Sequence, residues 1–396
     1  MLSDALKNGL DVLKKNKVIF VPFIILGIIS ILSFLFVAKP MFEFTTYQNS
    51  YSYSSTFYSH SGGFDSYFFK KFIDIMNLII IWSIFLFVFT VLANVAGLRV
   101  VKDYLNGQKT KISDIGKTTI TKGPIAIFGV LASSILFFLP GIIGTILSFW
   151  SFYFLPSSVS ASYSGMETLG GIMLVAFSMF FIQTIILLAV GYYILSGKFR
   201  KIYLWGTIIT FILLILTIVV GFINPLLSFI FLIPFFILFI LLTVVLIFIT
   251  FIIISSIAYI LPSVIVLNDN INVTDAVKKS LNFAKNNTKK FTFLILIVFV
   301  IQLLISIPVF IISFANAMHP SFSLYVIEKI FSIVLDIIVA PYILSVYAIT
   351  YVYSLMKEKE SKNKKDENEK DAVVLPEEIK STQNLSEGLG GLSKAQ

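Results

Sequence analysis

Asp336 is the residue in this sequence best placed to do chemistry. It lies in the apolar run Phe331-Ser332-Ile333-Val334-Leu335-Asp336-Ile337-Ile338-Val339, close to mid-membrane depth if that run crosses a bilayer. An ionisable side chain there is costly unless it is protonated, paired or wetted, so by default it marks an ion, proton or substrate position. Pro341 follows five positions later and frees nearby carbonyls from the helical ladder. Gln302, Gln183 and Asn94 are the other polar side chains set in apolar runs. Two roles fit them: lining one polar pathway with Asp336, or hydrogen-bonding across helix interfaces as packing contacts. Other chemistries lack their residues. The chain has no cysteine, hence no thiolate nucleophile, thiolate metal site or disulfide framework. Its two histidines, His60 and His319, lie far apart in outer loops and read as solvated. No Gly-rich phosphate loop, paired-His zinc motif or nucleophile elbow occurs. No cofactor, metal or enzymatic activity is expected.

The basic residues form the second pattern. Thr274-Asp275-Ala276-Val277-Lys278-Lys279-Ser280-Leu281 recurs as Ser3-Asp4-Ala5-Leu6-Lys7 and as Ser113-Asp114-Ile115-Gly116-Lys117, each time shortly before a long apolar run. The hydroxyl is expected to cap a helix, with the Asp near the positive end of its dipole. Val273, Val277, Leu281 and Ala284 share one helical face, as do Leu2, Leu6, Leu10 and Leu13. Lys7, Lys14, Lys15, Lys117, Lys278, Lys279 and Lys285 project elsewhere. A basic amphipathic helix beside a hydrophobic span predicts an interfacial helix whose lysines meet anionic lipid headgroups.

These residues need a membrane to position them. Of 396 residues, 57% are hydrophobic and 13% charged, against roughly 25% charged in soluble domains. The mean hydropathy is +0.94. The fold class is therefore all-α, a polytopic transmembrane bundle. The net charge of +9 gathers at the ends of apolar runs, which is a membrane-topology pattern and not a nucleic-acid groove. Apolar runs long enough to span occur at 18–38, 75–98, 124–155, 169–195, 202–222, 226–267, 291–312 and 325–356. The first is expected to stay as a span, since no small-residue cleavage pattern follows it.

Two runs are too long for a simple crossing. The third contains Pro140-Gly141 and reads either as one kinked helix or as two arms re-entering one face. The sixth, with Pro234 and Pro262, reads as a short stub before a long helix. Charge chooses for the third run. Counted as one crossing, it puts Lys198, Arg200 and Lys201 on the same side as Lys14, Lys15, Lys17, Arg99, Lys102, Lys117, Lys122, Lys278 and Lys279. The positive-inside rule then predicts about eight crossings, both termini cytoplasmic, and all three repeated helices on the cytoplasmic side of the cell membrane. Arg99, at a helix end, is accounted for by snorkelling.

The expected organisation is a membrane domain over 1–356, with parallel repeat units near 1–101, 112–201 and 268–356 and an extra hairpin at 202–267. An aromatic outer loop at 41–69 suits the headgroup region. The tail, 357–396, is charged and polar enough to stay disordered, and offers a place for a soluble partner to dock.

The order Tyr259-Ile260-Leu261-Pro262-Ser263-Val264-Ile265-Val266, a polar turn, Thr274-Asp275-Ala276-Val277-Lys278-Lys279-Ser280, a basic stretch and two spans resembles a known pattern. It resembles little-characterised prokaryotic membrane proteins related to the membrane region of some glycerophosphodiester phosphodiesterases. The resemblance covers about 259–356 and implies an all-helical integral membrane domain. The catalytic barrel of those enzymes has no room here, so its activity is not carried over. Two functions are expected from this reading. One is a non-enzymatic organiser of lipids or anchor for partners, working through the interfacial helices. The alternative is a transporter or lipid-handling permease that uses Asp336. Substrate and oligomeric state do not follow from the residues.

Overall fold

The computed structural model describes residues 2–53, 66–158, 163–195, 197–223, 225–268 and 271–368. His60 and the tail after residue 368 lie outside them. Every regular element among the described residues is helical. In order these are α1 (Leu2–Lys15), a 3₁₀ turn (Lys17–Ile19), α2 (Phe20–Tyr53), α3 (Ser66–Leu105), α4 (Ile112–Ser158), α5 (Tyr163–Ile194), α6 (Gly197–Ile223), α7 (Pro225–Ser255), a π turn (Ser256–Ile260), α8 (Leu261–Leu267), α9 (Val273–Asn286), α10 (Thr288–Met318) and α11 (Phe322–Asn368). Seven helical stretches are long and apolar enough to cross a membrane, and a shorter apolar stretch, Phe181–Ile194, lies in α5. Their outer surfaces carry exposed Ile, Leu and Phe, as at Phe36, Phe310 and Ile81, which suits contact with lipid. The protein is a polytopic helical bundle.

The long runs resolve differently from one another. α4 continues unbroken through Pro140-Gly141, so the run is one helix. α7 likewise continues through Pro234. The interruption in the sixth run comes later, at the π turn that precedes Pro262, where the missing proline N–H prevents a regular α ladder. α2 continues through Pro40 to Tyr53, and α3 begins at Ser66, so much of the expected outer loop is helical.

The expected hydroxyl caps shift by two residues. α9 starts at Val273, where the Ala276 N–H bonds the Asn272 carbonyl at 2.9 Å, leaving Thr274 just inside the helix. α4 starts at Ile112, with Asp114 N–H on the Lys111 carbonyl at 3.1 Å. Here the backbone carbonyl preceding the helix takes the place assigned to the hydroxyl residue.

The chain divides into two compact units. The first comprises Met1–Val130, Ala258–Ala276 and Ile297–Gln396. In it α2 packs on α3 and α11, α1 lies on α11, and α3 also meets α8 and α11. Small residues allow the close approaches. A Cβ on Gly9 would come within 2.6 Å of Val346, and one on Gly27 would overlap Ile337. Phe34, Val37 and Ala38 close one end of the unit with Trp82 and Tyr325, and the Trp82 indole N–H donates to Ser33 Oγ at 3.0 Å. The second unit comprises Leu131–Ile257 and Val277–Leu296. In it α7 packs on α5 and α6, and Ser280 donates to the Ser256 carbonyl at 2.8 Å.

Candidate functional site

Asp336 sits on a stripe of α11 formed by Lys329, Ser332, Asp336, Ala340 and Ile343, spaced three or four residues apart as one helical face requires. That stripe forms one wall of a cavity of about 650 Å³ in the first unit. The opposite walls come from α2 (Gly27, Ser30, Phe34), α3 (Trp82, Thr90), the π turn (Tyr259) and α10 (Gln302, Ser306). The volume falls within the roughly 300–1,000 Å³ of small-molecule sites.

The sequence explains how these elements leave a space there. Beside the space, Gly27 on α2 gives its side-chain position to Ile337 of α11, so the two helices close on each other along that edge. The π turn widens the helix at Tyr259, whose ring stacks on Tyr347 with centroids 4.7 Å apart and an interplanar angle of 1°. Tyr347 is fully buried, so the stack anchors Tyr259 against the bundle. Pro341 frees the helix locally, and Ser345 donates to its carbonyl at 2.8 Å. At the other end of the cavity, Lys329 lies on Glu328 at 3.1 Å, with the Glu328 carboxylate nearly buried. Two helical turns, roughly 10 Å along the axis, separate Lys329 from Asp336. The lining thus carries one exposed carboxylate on α11, one ammonium already resting on Glu328, an exposed amide on α10 and several hydroxyls. It can bind a cation, a proton or a polar group of a solute by charge and hydrogen bonding. Among the described residues no cluster of His, Asp and Glu has the makings of a metal site.

Of the four polar candidates in the spans, the structure brings Asp336 and Gln302 to one cavity. Asn94 is buried in α3 and does not line it. Gln183 lies in the second unit. Its Nε2 donates to the Phe137 carbonyl at 2.7 Å, and its Oε1 accepts the Gly141 N–H at 3.0 Å. Those two backbone groups would normally bond each other, so Gln183 of α5 is inserted into the ladder of α4 beside Pro140. Gly141 permits the approach, since a Cβ there would meet Gln183 at 3.1 Å. This is how a proline within a membrane helix has its freed backbone satisfied.

The candidate headgroup lysines are placed as follows. Lys7, Lys14, Lys15, Lys117, Lys278 and Lys279 are exposed. Lys285 is half-buried, its ammonium 4.2 Å from the centre of the Tyr193 ring. The leucine face of α1 stays partly open, with Leu10 exposed, while Ala5, Gly9 and Val12 are the buried residues. In α9 the buried positions include Ala276, Ser280 and Phe283, which are the counterparts of Ala5, Gly9 and Val12. The stretch at Ser113 is continuous with the span of α4 and forms no separate helix.

Some contributors were passed over in the sequence. Ser332 and Asp336, like Gln302 and Ser306, are pairs four apart within apolar runs, and that spacing marks the cavity walls. Arg99 does more than snorkel: its guanidinium holds the buried Asp103 carboxylate, with Nη2–Oδ1 at 3.0 Å and Nε–Oδ2 at 3.3 Å. The i,i+4 spacing of that pair was readable from the chain. Comparison with models of protein families, with curated proteins and with solved structures finds no match.

Proposed function

We propose that this multi-pass membrane protein is a non-enzymatic transporter or lipid-handling permease that holds a cation, a proton or a polar solute group in the chamber around Asp336. The observation that carries the reading is the position of a single carboxylate on the cavity-facing stripe of α11, with Gln302 across from it on α10. A carboxylate in an apolar span is retained against its cost where it serves a pathway or a ligand. With Lys329 already resting on Glu328, the Asp336 carboxylate favours a ligand that is cationic or carries a cationic group.

Native mass spectrometry of the purified protein, wild type beside Asp336→Asn, tests this. The wild type should release a stoichiometric small molecule or one lipid species that the variant lacks. Bulk lipid alone from both proteins would overturn the proposal.

A second reading, a membrane organiser or anchor, is favoured by the exposed lysines of α1 and α9. It expects Lys278→Glu, Lys279→Glu and Lys285→Glu to disturb localisation or partner binding while Asp336→Asn is silent. Both readings place the protein in the cell membrane with cytoplasmic termini, membrane lipids as partners and no role for nucleic acid. They leave the tail after residue 357 free to dock a soluble partner. The parallel repeats, and the kinship with the membrane region of glycerophosphodiester phosphodiesterases, belong to the same proposal.

A further inference from the structure

A second cavity, of about 310 Å³, lies in the first unit where α3 ends and α4 begins. Gly107 shapes the turn between them. Its φ of 66° is left-handed, its N–H bonds the Tyr104 carbonyl at 3.0 Å, and the Gln108 N–H bonds the Asp103 carbonyl at 2.8 Å. This paired closure ends α3 and brings the chain back within a few residues. Arg99 and Lys102 therefore face Lys117, Thr118 and Lys122 of α4 across one cavity, with Val266 of α8 at its edge. The bundle fixes several of these groups. Lys102 Nζ lies 3.4 Å from the Val266 carbonyl and Lys122 Nζ lies 3.3 Å from the Asn268 carbonyl, both at the end of α8. Arg99 is held by Asp103. Among the described residues, Arg99, Lys102, Lys117 and Lys122 thus gather around one cavity with Asp114, while Asp103 stays paired to Arg99.

We propose that this pocket binds a phosphate group, carried by the headgroup of an anionic phospholipid or by a soluble phosphate. Clustered ammonium and guanidinium groups with a hydroxyl donor recognise phosphate oxygens, and basic pockets between membrane helices take anionic headgroups. The site lies at the ends of the spans Asn77–Leu105 and Ile112–Leu147, at headgroup depth. Ile120, 77% exposed, and Phe128, 63% exposed, continue along α4 from the pocket into the span and offer a path for acyl chains. The inference does not depend on the chamber around Asp336, with which the pocket shares no residue.

The test is native mass spectrometry of the full chain in detergent, with phosphatidylglycerol, phosphatidylcholine and inorganic phosphate added in separate arms. Wild-type protein should retain one phosphatidylglycerol in preference to phosphatidylcholine. The double variant Lys117→Gln/Lys122→Gln should bind it at least tenfold more weakly, and Asp114→Asn should bind it more tightly. A gain in Asp114→Asn cannot come from misfolding, so the pair of variants keeps the test sharp. Asp336→Asn should bind it as wild type does, which separates this site from the chamber. Inorganic phosphate binding with the same dependence on these variants would support the site and assign it a soluble ligand. Equal lipid retention by wild type and both pocket variants, without phosphate binding, would overturn it.

Discussion

Asp336 and Gln183 are both polar side chains in apolar helices, and their surroundings give them opposite roles. Gln183 spends its amide on the backbone of α4, bonding Phe137 and Gly141. Gln183→Leu should therefore strand two backbone groups and lower stability by about 1–2 kcal/mol, read as a drop in the thermal midpoint in detergent. Asp336 instead faces open space. Asp336→Leu should leave the thermal midpoint unchanged or raise it, because removing a carboxylate from an apolar span relieves its desolvation cost. A clear fall in the midpoint would make Asp336 a structural residue and remove the basis of the chamber proposal.

Between elements, glycines decide which helices meet closely. Gly27 lets α2 approach α11 beside the chamber. Gly27→Leu should collide with Ile337, cost about 1–3 kcal/mol by overpacking and, by pushing α2 and α11 apart beside the chamber, weaken whatever it holds. Retention of a chamber ligand by the Leu variant would argue that binding occurs elsewhere. α1 and α9 show how an amphipathic pattern can serve two surfaces. The small stripe Ala5-Gly9-Val12 is buried while Leu10 and the lysines stay open. Gly9→Leu should consequently detach α1 from α11, which limited proteolysis of the amino terminus would report as faster cleavage.

At the scale of the whole chain, α4 is one helix through Pro140-Gly141, which bears on the proposed topology. The proposed topology, one crossing by α4 and a return by α5, would put residues 109 and 198 on the same side of the membrane. The absence of cysteine makes this directly measurable. Single substitutions Lys109→Cys and Lys198→Cys should react with an impermeant thiol reagent from one face, and Lys39→Cys from the other. Labelling of 109 and 198 from opposite faces would mean that Pro140-Gly141 is a hairpin.

Much of this architecture was legible in the chain because lipid imposes a one-dimensional rule: a spanning helix must be about 20 apolar residues long, wherever it packs. Composition and run length alone set the all-helical class, most of the spans and the exceptional position of Asp336. The hydroxyl caps fall two residues inside their helices, because a preceding backbone carbonyl takes the capping place. The stub at Pro234 and the extent of the outer loop differ by a turn or more, since prolines within a membrane helix are tolerated where neighbours satisfy the backbone. Which polar residues meet was not legible at all. Asp336 and Gln302 lie on different helices and share a cavity, whereas Gln183 and Asn94, equally conspicuous in the chain, do not. The basic pocket at Arg99, Lys102, Lys117 and Lys122 was visible in the chain only as charge at the ends of apolar runs. Hydrophobicity acts residue by residue, but a cavity is a property of several helix faces at once, and helix rotation and crossing are decided only when side chains interlock in three dimensions.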